Sequence, residues 1–229
     1  MSLRRWSSAA VVMVGGLALP ALALASPVTL VTTGDLGYYN NHIGTVLNLS
    51  NTGSDTCAEP FPVGNDCSAV YSTAPNLSAA SAILGNWLGD PGNLNSNWSA
   101  TPISIPNSWT PGDEVAVIYR FDTLGATNVH AFFGVDNGIF VWLDGVYQLG
   151  RRDPGGVVSF EYNVPLGDLA AGTHYLQLLL EDHGASDGYA VLIQADTFQP
   201  APGVVPEPAS LVLLGTGLLA AGRRFARRR

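Results

Sequence analysis

From residue 114 to residue 198 the chain is written in short apolar runs that end at Gly, Asn, Asp or Pro, and none of them carries a sustained helical period. Runs at 114–121, 128–135, 139–143, 157–164, 173–181 and 189–198 are rich in Val, Ile, Leu, Tyr and Phe, the side chains that suit a pleated, half-buried surface. Asp136-Asn137-Gly138 supplies hairpin chemistry between the second and third runs, and Asp144-Gly145 makes the next turn. Pro154-Gly155-Gly156, Ala171-Gly172 and the glycine-rich stretch 184–188 separate the rest. Many short strands with frequent turns predict an all-β fold, a single antiparallel β-sandwich of jelly-roll type. Only residues 78–88 offer a short helix.

The two ends of the chain follow a different logic. Arg4 and Arg5 precede an apolar stretch from 9 to 24, and Ala23 and Ala25 give the small-x-small pattern of a signal-peptide cleavage site. The sequence therefore predicts a signal helix over 1–25, cut by signal peptidase, and a mature chain starting at Ser26. At the other end, Pro206, Glu207 and Pro208 stand before an apolar run, 209–222, and Arg223, Arg224 and three further arginines follow it. Fourteen residues make about 21 Å of helix against a hydrocarbon core of about 30 Å, so a transmembrane helix here is short. The arginines fix its far end in the cytoplasm and leave the body facing outward.

Pro206-Glu207-Pro208 together with the Gly-Thr-Gly-Leu-Leu-Ala-Ala-Gly-Arg-Arg ending resembles the PEP-CTERM sorting signal of Gram-negative bacteria. The resemblance covers 204–229 and implies export, transient membrane anchoring, and recognition and removal of the tail by an exosortase. It also implies a destination at the cell surface or in the extracellular matrix, in organisms that often make exopolysaccharide and biofilm.

Setting both ends aside changes the composition. Residues 26–205 hold three basic side chains, Arg120, Arg151 and Arg152, against seventeen acidic ones, a formal charge of −14, with no lysine. Such a surface repels phosphate backbones, which argues against nucleic acid as a partner. It attracts divalent cations, or else it keeps an exported protein soluble. Cys57 and Cys67 lie in a stretch rich in Pro, Gly, Asn and Asp, and export makes a disulfide between them the expectation. The body, 26–203, is long enough for one domain with a substantial core.

Alternation along 173–182 puts His174, Leu176, Leu178, Leu180 and Asp182 on one face and Tyr175, Gln177, Leu179 and Glu181 on the other. The first face is predicted to be core and the second solvated, with a shallow binding surface as the alternative.

The sequence Val135-Asp136-Asn137-Gly138, a strand ending in Asp144-Gly145, and a following Gly-Thr-His strand resemble the hairpin of exported carbohydrate-binding sandwiches of the protective-antigen and galactose-binding-like type. The resemblance covers about 126–198 and implies a sugar-binding sandwich, in some members with calcium held by two adjacent aspartates. Here Asn137 takes the second position, which removes one negative charge. Asp136 and Asn137, with the second acidic cluster Glu181, Asp182 and Asp187, are the calcium candidates, and plain turns are the alternative. The histidines form no zinc spacing, and no nucleophile elbow or phosphate loop is present, so a noncatalytic protein is expected. Trp87, Trp98 and Trp109 fall in Gly/Asn/Ser/Pro-rich connections, where a ring either stacks on a sugar or caps the core. Two function classes follow: a matrix or surface protein that binds polysaccharide, and a structural or adhesive protein that binds other proteins. A glycan-acting enzyme ranks third.

Overall fold

The computed structural model describes residues 27–47, 49, 68–152, 156–182 and 187–198. Its spine is a pair of long strands, β5 (Glu114–Asp136) and β8 (Tyr162–Glu181), which run antiparallel from Glu114 opposite Glu181 to Phe133 opposite Tyr162; the intervening strands are β6 (Gly138–Leu143) and β7 (Val146–Arg152). The sequence predicts separate strands at 114–121 and 128–135, and at 157–164 and 173–181. Each pair instead runs on as one strand. The turn signals between them are spent on bending the ladder: Gly125, Asn128, Gly167 and Gly172 all take positive φ, and the register slips between Ala126 and Val129.

Around this spine β2 (Leu36–Gly44) pairs with the first half of β5, and β9 (Gly188–Ala195) with its second half. β1 (Val28–Thr32) lies outside β9. On the far side of β8 come β6, β7 and β3 (Ala69–Val70). β4 (Ile103–Ser104) pairs with β2, and β10 (Thr197–Phe198) pairs with Ala126 and Thr127 of β5. All ten belong to one antiparallel sheet.

That sheet closes on itself. Tyr189 is the ladder partner of Val135, sixteen positions along β5 from Tyr119, which is about 50 Å on a straight strand. Yet the Tyr119 and Tyr189 hydroxyls are 2.6 Å apart. The two halves of the sheet therefore face each other, and the predicted sandwich is built from one folded sheet. The first core lies between the halves, with Val117, Tyr119, Ala131, Phe133, Leu178 and Ile193 among its members.

A second core lies on the outer face of the first half. There Ala116, Ile118, Phe140, Trp142 and Leu179 are covered by Trp87, Trp98 and Leu84 from the irregular segment before β4. This corrects the solvated-face reading of 175–181: Gln177 is 0% exposed and Glu181 2%. The amide of Gln177 explains how a polar residue is tolerated there, donating to the Trp87 carbonyl at 2.8 Å and accepting from the Gly145 N–H at 2.8 Å. The cover contains a 3-10 turn, Ser78–Ala80, and a single helical turn, α1 (Ser81–Leu84), shorter than the predicted 78–88 helix because Gly85 (φ 64°) ends it.

Asp144-Gly145 forms the predicted two-residue turn, with both residues at positive φ. Asp136-Asn137-Gly138 does not form the predicted hairpin. β6 pairs with β7 and β8, not β5, so these residues carry the chain across from one half of the sheet to the other. The expected signal and transmembrane helices lie outside the described residues, as do Ala23, Ala25, Cys57 and Cys67. Among the described residues no helix is long and apolar enough to cross a membrane.

Candidate functional site

The cover of the second core forms a groove of about 430 Å³ between Tyr38 of β2 and the loop 92–100. Its loop is held by amide side chains that reach the carbonyls left open at the end of α1. Asn95 donates to Ala82 and Ile83 at 3.3 and 3.1 Å, Asn97 to Ile83 at 3.2 Å, and the Trp98 indole N–H to Leu84 at 3.1 Å. Three further bonds tie the loop to β2: the Ser99 N–H donates to the Tyr39 carbonyl at 2.9 Å, the Tyr39 N–H donates to Ser99 Oγ at 3.1 Å, and the His42 imidazole Nδ1–H donates to the Asn97 carbonyl at 3.0 Å. Tyr38, Asn93, Asn95, Ser96, Trp98 and Ser99 line the groove, and among the described residues no carboxylate, guanidinium or imidazole does. The chemistry on offer is an aromatic edge, amides and hydroxyls in a fixed frame.

The three tryptophans singled out by the sequence each wall a different cleft. Trp98 borders this groove, Trp87 a smaller one beside α1, and Trp109 a third with Tyr39 and Asp113. Trp87 and Trp98 are 2% and 4% exposed and pack with ring centroids 5.7 Å apart, so both cap the core. Trp109 is half-buried; its indole N–H donates to the Asp113 carbonyl at 3.0 Å. Sequence reasoning missed Tyr38, Asn93, Ser96 and Ser99. The signal was the run of asparagines and serines on either side of Trp98, read as a connection and not as a wall.

Two of the calcium candidates, Asp182 and Asp187, hold backbone N–H groups. Asp136, Asn137, Glu181 and Asp182 are all buried. Asp182 accepts from the Gly112 N–H at 2.9 Å, and Asp187 accepts from the Trp109 N–H. Glu181 lies over Gly138, where a Cβ would come within 2.0 Å of its carboxylate oxygen, and Gly138 has Arg152 as its other ladder neighbour. Burial pulls the Arg152 guanidinium down from its ordinary pKa and the charge of Glu181 opposes that. Among the described residues no three His, Cys, Asp or Glu side chains are placed to hold one metal ion.

Two titrating groups stand out. Glu114 is the ladder partner of Glu181 and accepts from the Leu49 N–H at 2.8 Å; burial pushes its pKa up to about 7 against the pull of the Leu49 and Leu47 amides. His174 stands between two acceptors, Asp144 Oδ2 at 2.7 Å and the Ala170 carbonyl at 3.0 Å, which requires a proton on each ring nitrogen. Burial works against that charge, but the carbonyl and the carboxylate outweigh it and raise the pKa.

Residues 204–229 match the family model of the PEP-CTERM protein-sorting motif. The match implies an exported protein with a C-terminal sorting tail, of the kind an exosortase processes. Pro206, Glu207, Pro208, Arg223 and Arg224 lie within that match and outside the described residues. No curated protein matches the chain. Among solved structures it is weakly similar to a PA14 sugar-binding domain from an RTX adhesin, at 13% identity and a TM-score of 0.30, over 57% of this chain and 68% of that one. It is also weakly similar to the catalytic domain of a GH87 α-1,3-glucanase in complex with nigerose, at 16% identity and a TM-score of 0.20, over 62% of this chain and 28% of that one.

Proposed function

We propose that this is a noncatalytic protein of the cell surface or extracellular matrix whose β body binds neutral polysaccharide in the groove between Tyr38 and the loop 92–100. The observation that supports it is the lining of that groove. The exposed Asn93 and Ser96 offer donors and acceptors to sugar hydroxyls, the half-buried Tyr38 ring offers a surface to a pyranose face, and among the described lining residues no ionised side chain favours a charged ligand. The loop is tied down on both sides, so little ordering entropy is lost on binding. Binding of this kind needs no cation.

A glycan array probed with the exported protein, with and without chelator, tests the reading. Binding to neutral glycans that survives chelation and falls at least tenfold with Tyr38→Ala or Asn93→Ala is expected. Silence on diverse glycans, the host's own exopolysaccharide included, overturns it and leaves the structural or adhesive reading. Release of reducing sugar from a bound polymer overturns the noncatalytic assignment. A Glu207→Ala variant is expected to keep its body folded and its tail uncut, and a mature-sized product from that variant overturns the exosortase step.

A further inference from the structure

We infer that the molecule carries a second neutral-glycan platform, Phe132 with Phe160, on the side of the first core away from the groove, and that it cross-links polysaccharide by holding a chain on each side. This rests on the reading of the groove given above. Alternation along β5 sends Val129, Ala131, Phe133 and Val135 into the first core and His130 and Phe132 to the opposite surface. The groove belongs to the cover of the other half of the sheet, so the first core lies between the two sites.

Phe160 is 50% exposed and sits at φ 69°, a left-handed backbone that bulky side chains disfavour. Its ring stands edge-on to Phe132, with centroids 5.9 Å apart and an interplanar angle of 77°. His130 stacks beside Phe132 at 6.2 Å and is fixed by Asn163 at 2.7 Å. The result is one surface cluster of three rings, with Phe160 upright against Phe132.

The segment that carries Phe160 is pressed onto the sheet at two glycines. A Cβ on Gly134 would meet the Val158 carbonyl at 2.0 Å, and one on Gly188 would meet Val157 at 2.8 Å. Val158, 59% exposed, extends the apolar edge. An exposed aromatic held in a disfavoured conformation by a pinned segment is preorganised for contact.

The surroundings select the occupant. Asn163 and Leu192 are the ladder neighbours of Phe132, and Pro165 and Gln194 those of His130, so each ring has an amide on one side. The charged groups reached through Asn128 are Asp168 and Asp196, both anionic, which disfavours an acidic glycan. Rings for stacking with amides at their margin and acids beyond suit a neutral pyranose chain.

The test compares the exported protein with Phe160→Ala, Phe160→Tyr and Tyr38→Ala/Asn93→Ala variants, using host matrix polysaccharide, dextran and a galactomannan. Two readouts are taken: affinity for immobilised polymer, and turbidity of polymer solutions as a measure of cross-linking. Phe160→Ala is expected to lose cross-linking and to bind immobilised polymer at least tenfold more weakly. Phe160→Tyr, which keeps the ring, is expected to retain both. Phe160→Ala behaving as wild type overturns the platform while the groove stands. Loss with Phe160→Ala but none with the groove variant overturns the groove reading and the two-sided cross-linking with it, and leaves the platform alone standing. Self-association without glycan that Phe160→Ala abolishes makes a second copy the occupant and overturns the inference, and so does the absence of any glycan binding.

Discussion

At the end of β8, from Leu176 to Glu181, both faces are buried, by different means. Leu176, Leu178 and Leu180 are buried because the sheet folds onto itself, so strand packs against strand, and the buried Tyr119 and Tyr189 hydroxyls satisfy each other. Gln177, Leu179 and Glu181 are also buried, and there the polar side chain of Gln177 is held by hydrogen bonds to the irregular cover and the β6–β7 turn. Gln177 ties the cover to the β6–β7 turn, and Glu181 rests on a glycine beside Arg152. A regular layer can bury an apolar face by area alone, whereas an irregular one needs hydrogen bonds to fix it. Those bonds also hold the groove wall in shape.

Cutting the inner face should cost most. Leu178→Ala is expected to destabilise by about 2–5 kcal/mol through the cavity it leaves, read as a fall in urea midpoint. On the outer face, Gln177→Ala should cost about 1–3 kcal/mol, since the Trp87 carbonyl and Gly145 N–H lose their partner. It should also loosen the cover, giving faster hydrogen exchange at residues 86–99 that Leu178→Ala does not reproduce at equal stability.

The third contrast is in pH. Glu114 on the outer face is raised from 4.5 to about 7, so the folded state holds its proton more tightly than the unfolded chain does. Its share of stability is complete below about pH 4.5 and is lost as pH rises towards 7. Glu114→Gln should flatten that decline, measured as thermal midpoint against pH. The smallest effect belongs to His174, whose raised pKa gives stability that is complete below its ordinary value of 6.5 and fades as pH climbs through the higher folded value. In His174→Gln this fade should disappear while the Glu114 decline remains.

Much of the inner face was legible in the sequence, because Leu176, Leu178 and Leu180 alternate as a half-buried strand does. Its outer face was not, since Gln177 and Glu181 look the same whether water or a cover lies above them. The break-up of β5 and β8 into four strands has a similar cause: Gly125, Gly167 and Gly172 signal positive φ, and positive φ serves a bend in a continuing ladder as well as a turn. Asp136-Asn137-Gly138 has hairpin chemistry, but which strands flank a corner depends on long-range pairing. Trp98 was found as a candidate while Tyr38 and Asn93 were not, because β2 and the loop meet only in three dimensions. Asp144-Gly145 was read correctly, being a turn that two residues decide by themselves.

The most direct test of the account is to titrate a neutral oligosaccharide from the host's matrix into the isotopically labelled exported protein and follow its amide resonances. Saturable shifts at Tyr38 and across 92–100, unchanged by chelator, are the predicted result. Shifts confined to Asp136, Asp182 and Asp187 that vanish with chelator, or no shifts at all, would contradict it.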